Sequence, residues 1–248
     1  MFKPLETILI NHTSSGAQAD KLARQYNLPI QSAADESTRF ILHLTNEGLS
    51  LQQNTQPAPS PVCVDFTSGK AAYRRGQSEM LAKAIGLNKR KKLQVVDATA
   101  GLGGDAFVMA TMGCDVILIE RHPLIHLLLK NGIQRALESQ ETSEPANKFT
   151  LVHDNALDWL GKNPSVDVIY LDPMYPAKRK SALAKKEMQL FQALLIDHRE
   201  DTLLLQAALQ KARYRVVVKR PIKGDQLGGI RPDFTISGRS TRFDVYQK

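Results

Sequence analysis

The sequence predicts an α/β fold centred on a seven-stranded, mostly parallel sheet that a C-terminal antiparallel hairpin completes. Three observations point there. Short apolar runs alternate with helical patterns from residue 93 onward. The runs are continuous in Val, Ile and Leu, as strands are when helices cover both faces of a sheet. Several stop on an acidic residue, at the strand edge where open α/β sheets bind ligands.

The elements follow in order. "RGQSEMLAKAIGL" (75–87) has helical spacing, then "LQVVDAT" (93–99) is a strand. "DAFVMATMG" is a short helix closed by Gly113, and "DVILIE" (115–120) the next strand. "PLIHLLLKNGIQRALES" is a longer helix with Pro123 in its first turn. "FTLVHD" (149–154) and "VDVIYLD" (166–172) are strands separated by the short helix "NALDWLGK". "ALAKKEMQLFQALL" and "DTLLLQAALQKA" are helices, and "RYRVVVKR" is a strand. "FTISGRSTRFDVYQ" gives two strands around "SGRS".

The first sixty residues differ. "ILI" precedes a polar stretch, and "FILHLTNEGLSLQ" reads as two strands turning at "NEG". "QQNTQPAPSPV" has the composition of a linker. The expected division is a small β-containing N-terminal subdomain, 1–60, and a main domain, 61–248.

The chain of 248 residues suits one large α/β domain with a small appendage. No apolar run approaches the roughly 18 residues of a membrane helix, and the first residues lack a signal-peptide pattern. Cys63 and Cys114 have no metal-like spacing. A cytosolic, disulfide-free protein without a metal is expected. His122 and His126 stand four apart on a helix, but no third ligand has fitting spacing.

Lysine and arginine outnumber acids 33 to 25, a net charge of +8. The excess is clustered: Lys89–Lys92, then Lys178, Arg179, Lys180, Lys185 and Lys186, then "KARYRVVVKRPIK" (211–223). Clustering of this kind fits a polyanion-binding surface. Lys178, Lys180, Lys185, Lys186, Lys219 and Arg220 are the candidates for phosphate contact.

"VVDATAGLGGDA" (95–106) is a strand, a glycine turn and a helix start. Glycines let backbone approach a ligand, and a helix N-terminus offers free N–H groups. Glu120 ends the following strand, where a carboxylate can take both ribose hydroxyls. Two ligands compete. Gly101, Gly103 and Ala106 satisfy the dinucleotide pattern, with Glu120 nineteen residues after Gly101. Asp97, however, would repel a pyrophosphate and would suit the ammonium and sulfonium of S-adenosylmethionine. That favours the methyl donor. At the third strand end, Asp154 could accept from an adenine amine, and Asn155 and Ala156 could contact the ring; Asp154 is equally suited to cap a helix.

"YLDPMYP" (170–176) closes the fourth strand. Pro173 and Pro176 stiffen the loop and hold Asp172 and Tyr175 extended. A carboxylate, the Pro173 carbonyl and an aromatic face suit an exocyclic amine on a nucleobase. Acceptors on its N–H bonds free the nitrogen lone pair for attack, while the Tyr175 ring stacks on the base.

"DPMYP" is a variant of the D/N-P-P-Y/F motif of class I methyltransferases acting on amino nitrogens, with Met174 in place of the usual second proline. Together with "VVDATAGLGGDAFVMA", "KSALAKKEM", "VVVKRP" and "RFDVY", it resembles the bacterial ribosomal RNA small subunit methyltransferase J family, from about residue 64 to the C-terminus. The resemblance implies a class I, Rossmann-like fold and methyl transfer from S-adenosylmethionine to a guanine N2 in small-subunit rRNA, naked or in the assembled subunit. It implies donor contacts at Gly104 and Asp105, Glu120 and Arg121, Asn155 and Ala156, and Asp172. The alternatives are an amino-methyltransferase for DNA or a protein glutamine, or a nicotinamide-dependent oxidoreductase sharing the glycine turn.

Overall fold

A computed structural model describes residues 7–13, 16–67, 75–90, 92–173 and 200–248. The described strands form two sheets. The smaller joins β1 (Thr7–Asn11), β2 (Phe40–Thr45) and β3 (Gly48–Gln53) in that order. β2 and β3 form the expected antiparallel hairpin, whereas β1 pairs with β2 in parallel. A parallel pair requires a crossover, and helix α1 (Gly16–Tyr26) supplies it. The sequence reading found only a polar stretch there. Ala19 is the one fully buried α1 residue, and Leu22, Ala23 and Tyr26 pack part-buried beside it, a stripe at helical spacing that the reading passed over among its polar neighbours.

The larger sheet contains β4 (Gln94–Asp97), β5 (Asp115–Ile119), β6 (Phe149–Val152), β7 (Val166–Leu171), β8 (Ala212–Pro221), β9 (Phe234–Ser237) and β10 (Thr241–Gln247). Their order is β6-β5-β4-β7-β8-β10-β9, and β10 alone runs antiparallel to its neighbours. Strand order reverses between β4 and β7, which opens a crevice at their C-terminal ends. The described helices are α2 (Arg75–Ile85), α3 (Gly104–Thr111), α4 (Pro123–Glu138), α5 (Ser143–Ala146), α6 (Ala156–Lys162) and α7 (Asp201–Lys211). The four-residue α5 was not anticipated. The helix expected around 182–195 lies outside the described residues.

Period-two alternation divides the strand side chains between two cores. Val95, Val168, Tyr170 and Val217 face one, and Val96, Ile169, Leu171, Val216 and Val218 face the other. The strands therefore carry no polar face, which accounts for their unbroken apolar runs. The first core also takes in Phe40, Leu42 and Leu51 of the small sheet, packed over α4. That contact is fastened by polar groups: the Leu49 amide donates to Asn131 Oδ1 at 3.0 Å, and Arg135 donates to the Val64 carbonyl.

Candidate active site

β4 ends on Asp97, only 3% exposed, whose Oδ1 accepts from the Thr99 amide at 3.2 Å. The chain then turns through Gly101 and Gly103, with φ of 54° and 73°. Gly103 meets two demands. Its φ is left-handed, and a Cβ there would come within 2.8 Å of Leu129 Cδ1 and 3.1 Å of Phe66 Cζ. Gly104 opens α3, and Asp105 lies in its first turn.

Glu120, just past β5, is 6% exposed and braces this turn. Oε2 accepts from the Gly101 amide at 3.0 Å and Oε1 from the His122 amide at 2.7 Å. Burial pushes its carboxyl up to about 7, against the pull of those amides and of Arg121. One acid thus ties two strand ends together, an economy that spacing alone does not reveal.

A group of carboxylates lies between β4, α3 and β7. Asp105 Oδ2 accepts from the Tyr170 hydroxyl and from Lys219 Nζ, both at 2.6 Å. Lys219 Nζ also donates to Asp172 Oδ2 at 2.8 Å. The Asp172 amide donates to Thr99 Oγ1 at 2.7 Å, which fixes the end of β7 against the turn after β4. Asp97 lies behind this group. Burial chiefly, with Asp105 and Asp172 adding to it, pushes its carboxyl up to about 8; the Thr99 amide and Lys219 act the other way. Burial and then the neighbouring carboxylates also raise the Tyr170 phenol.

At the end of β6, Asp154 Oδ1 accepts from the Asn155 amide at 2.8 Å. The cap of α6 is Asn155, whose Oδ1 accepts from the Leu157 amide at 2.8 Å. The sequence reading offered Asp154 as the cap, one residue too early. Glu200 joins this edge to β5: its Oε2 lies 2.8 Å from Arg121 Nη1 and 3.4 Å from Asn155 Nδ2. Ala156 is buried at the start of α6. His126, one of the spaced histidines, stacks on His153 with ring centroids 4.7 Å apart.

Asp97, Gly101, Gly103, Gly104, Asp105, Glu120, Asn155 and Asp172 thus stand along the C-terminal edges of adjacent strands. Pro173, which follows Asp172, is the last described residue before residue 200. Tyr175, Lys178, Lys180, Lys185 and Lys186 lie outside the described residues. Two basic residues are not on an open surface. Lys219 is paired inside the carboxylate group with its side chain 21% exposed, and Arg220 is 5% exposed and donates to the Asp225 carbonyl at 2.9 Å. β8 is a central strand covered on both faces, so cations within it need local acceptors. Thr99 and Tyr170 were also missed as site residues. A hydroxyl in the glycine turn and a tyrosine in an otherwise aliphatic strand were the signals that could have found them.

A family model described as "Putative SAM-dependent methyltransferase" matches residues 21–248. Proteins called ribosomal RNA small subunit methyltransferase J are similar over nearly full length. The one from Thioalkalivibrio sulfidiphilus is 45% identical, covering 92% of each chain, and that from Pseudomonas aeruginosa is 43% identical, covering 93% of this chain and 90% of its own. The chain belongs to the ribosomal RNA small subunit methyltransferase J family. A crystal structure of the SAM-dependent methyltransferase NGO1261 from Neisseria gonorrhoeae superposes with a TM-score of 0.77 at 38% identity, covering 97% of this chain and 95% of that one.

The cofactor of this methyltransferase J family member is S-adenosylmethionine, which supplies an electrophilic methyl group on a sulfonium. The lining fits such a ligand. The acids that end β4 and follow β5 suit a cation and ribose hydroxyls, and Asp97, beside the glycine turn, opposes a pyrophosphate. The nicotinamide alternative falls with that assignment.

Proposed function

We propose that this chain transfers a methyl group from S-adenosylmethionine to the exocyclic N2 of a guanine in small-subunit ribosomal RNA, in the cytoplasm. The observation that carries this reading is the position of Asp172-Pro173. The pair closes β7 beside the glycine turn, at the reversal of strand order, in a chain whose relatives are named for small-subunit rRNA. Either naked RNA or the assembled subunit would be the substrate. Residues 1–60 are taken as a small subdomain beside the methyltransferase domain, 61–248; the separate three-stranded sheet supports that division.

In this reading Glu120 accepts from the ribose hydroxyls, with Gly101, Gly103, Gly104 and Asp105 against the donor and Asp97 facing its cationic end. Asn155 and Ala156 border the adenine, Asp154 accepts from its amine, and Arg121 lies at the rim. Asp172 and the Pro173 carbonyl accept from the two N–H bonds of the guanine amine, and Tyr175 stacks on the base. Those acceptors localise the nitrogen lone pair, which is otherwise delocalised into the ring. The methylated nitrogen then sheds its proton to water, so the residues work mainly by positioning. Lys178, Lys180, Lys185 and Lys186 contact phosphate.

Labelled-methyl transfer to small-subunit RNA, to DNA and to protein tests the assignment. Label in RNA alone, released as N2-methylguanine on digestion, is expected. Label in DNA or in protein glutamine would support one of the other amine acceptors and overturn it.

A further inference from the structure

We propose that Lys219 is a positioning residue of the methyl-transfer site: its ammonium holds the Asp172 carboxylate in place and offsets the combined charge of Asp105 and Asp172. The inference rests on the reading of Asp172 as the acceptor for the substrate amine. It replaces the expectation that Lys219 meets RNA phosphate.

The geometry is specific. β8 lies parallel to β7 with Leu171 opposite Val218, so Lys219 emerges beside Asp172 at the same edge. Its Nζ is 2.6 Å from Asp105 Oδ2 and 2.8 Å from Asp172 Oδ2, and so joins the first turn of α3 to the end of β7. The Thr99 hydroxyl fixes the Asp172 main chain, and the ammonium bears on its side chain. The titratable groups facing Lys219 among the described residues are Asp97 from β4, Asp105 from α3, and Tyr170 and Asp172 from β7. Burial works against the lysine charge, but Asp172 and then Asp105 outweigh it and hold the ammonium above the ordinary lysine value.

Asp97 already holds a proton near neutrality, so removing the ammonium leaves the Asp105 and Asp172 charges without their shared counter-ion in a part-buried space. Two like charges there resist ionising together, and one of the pair takes up a proton. A protonated or swung Asp172 no longer presents an acceptor to the amine. The lysine therefore acts on turnover through Asp172 and not on RNA affinity.

The test compares Lys219→Met and Lys219→Arg with the wild type at saturating donor and saturating RNA across the pH range. Lys219→Met is expected to lose about ten- to a hundredfold in kcat near neutrality and to acquire an acid limb, its rate climbing with pH where the wild type changes little. Lys219→Arg is expected to recover most of the rate and the wild-type profile. Carbon-detected titration of the aspartates provides a second readout: one of Asp105 and Asp172 should move to higher pH in the methionine variant. Parallel pH profiles together with unmoved carboxylates would overturn the proposal. So would unchanged kcat with weaker RNA binding and a shallower salt dependence, the behaviour of a phosphate contact. A wild-type protein inactive on RNA would overturn the functional reading instead, and the carboxylate titration would still decide whether Lys219 controls the pair.

Discussion

At the scale of single residues, Asp97 and Glu120 show how burial sets chemistry. Asp97 is pushed up to about 8 mainly by burial, so the ligand-free protein holds a proton there at neutral pH. A cationic donor favours the ionised form. Donor affinity should therefore rise with pH towards about 8 and then level off, with net proton release on binding below that value. Calorimetry in buffers of different ionisation enthalpy would detect the released proton, and Asp97→Asn should abolish both effects. Glu120→Gln should weaken donor binding by about one to two decades, since a charged hydrogen bond is worth roughly 1.5–3 kcal/mol. Because Glu120 also accepts from the Gly101 and His122 amides, the variant should lose thermal stability too. Unchanged donor affinity in a folded Glu120→Gln protein would remove the ribose role. These acids were legible in the sequence because each ends an apolar run. Their bonds were not, since Glu120 bracing Gly101 and Lys219 joining two aspartates depend on strand order that local spacing does not encode. Lys219 looked like a surface cation because "VVVKRP" shows the charge and hides the partners.

At the scale of elements, the large sheet was readable wherever burial on both faces produced a continuous apolar run. Of the elements that escaped notice, α5 is four residues long and too short to print a period, while the α1 stripe of Ala19, Leu22, Ala23 and Tyr26 has one leucine with two alanines and a tyrosine, set among polar residues. The junction of the small sheet with α4 depends on a glycine. A Cβ on Gly132 would collide with Val64, so Gly132→Ala should destabilise by about 1–3 kcal/mol through overpacking, despite alanine's better helix propensity. Chemical denaturation would measure it. A stabilised variant would mean that the two surfaces are not closely packed in solution. At the other edge, Asn155→Ala removes the α6 cap and one partner of Glu200. A loss of about 0.5–2 kcal/mol is expected.

At the scale of the whole molecule, the raised carboxyls give stability a sign. Asp97 and Glu120 both titrate higher in the folded state than in the unfolded chain. The folded state binds the extra protons, so their contribution is full at low pH and is lost as pH rises through about 7 for Glu120 and about 8 for Asp97. The ligand-free protein should lose melting temperature over that interval relative to Asp97→Asn, and bound donor should restore more at the alkaline end. The net charge of +8 bears on the partner. Neutralising Lys178, Lys180, Lys185 and Lys186 should leave donor binding intact and make RNA binding less sensitive to salt. The slope should fall by roughly 0.7–0.9 for each phosphate that no longer has a lysine beside it. The central claim is methyl transfer to a guanine amine aligned by Asp172. Its most direct test is mass-spectrometric mapping of small-subunit rRNA from cells lacking this protein, complemented with the wild type or with Asp172→Ala. One N2-methylguanine should disappear, return with the wild type and stay absent with folded Asp172→Ala. An unchanged modification map, or full restoration by Asp172→Ala, would contradict the claim.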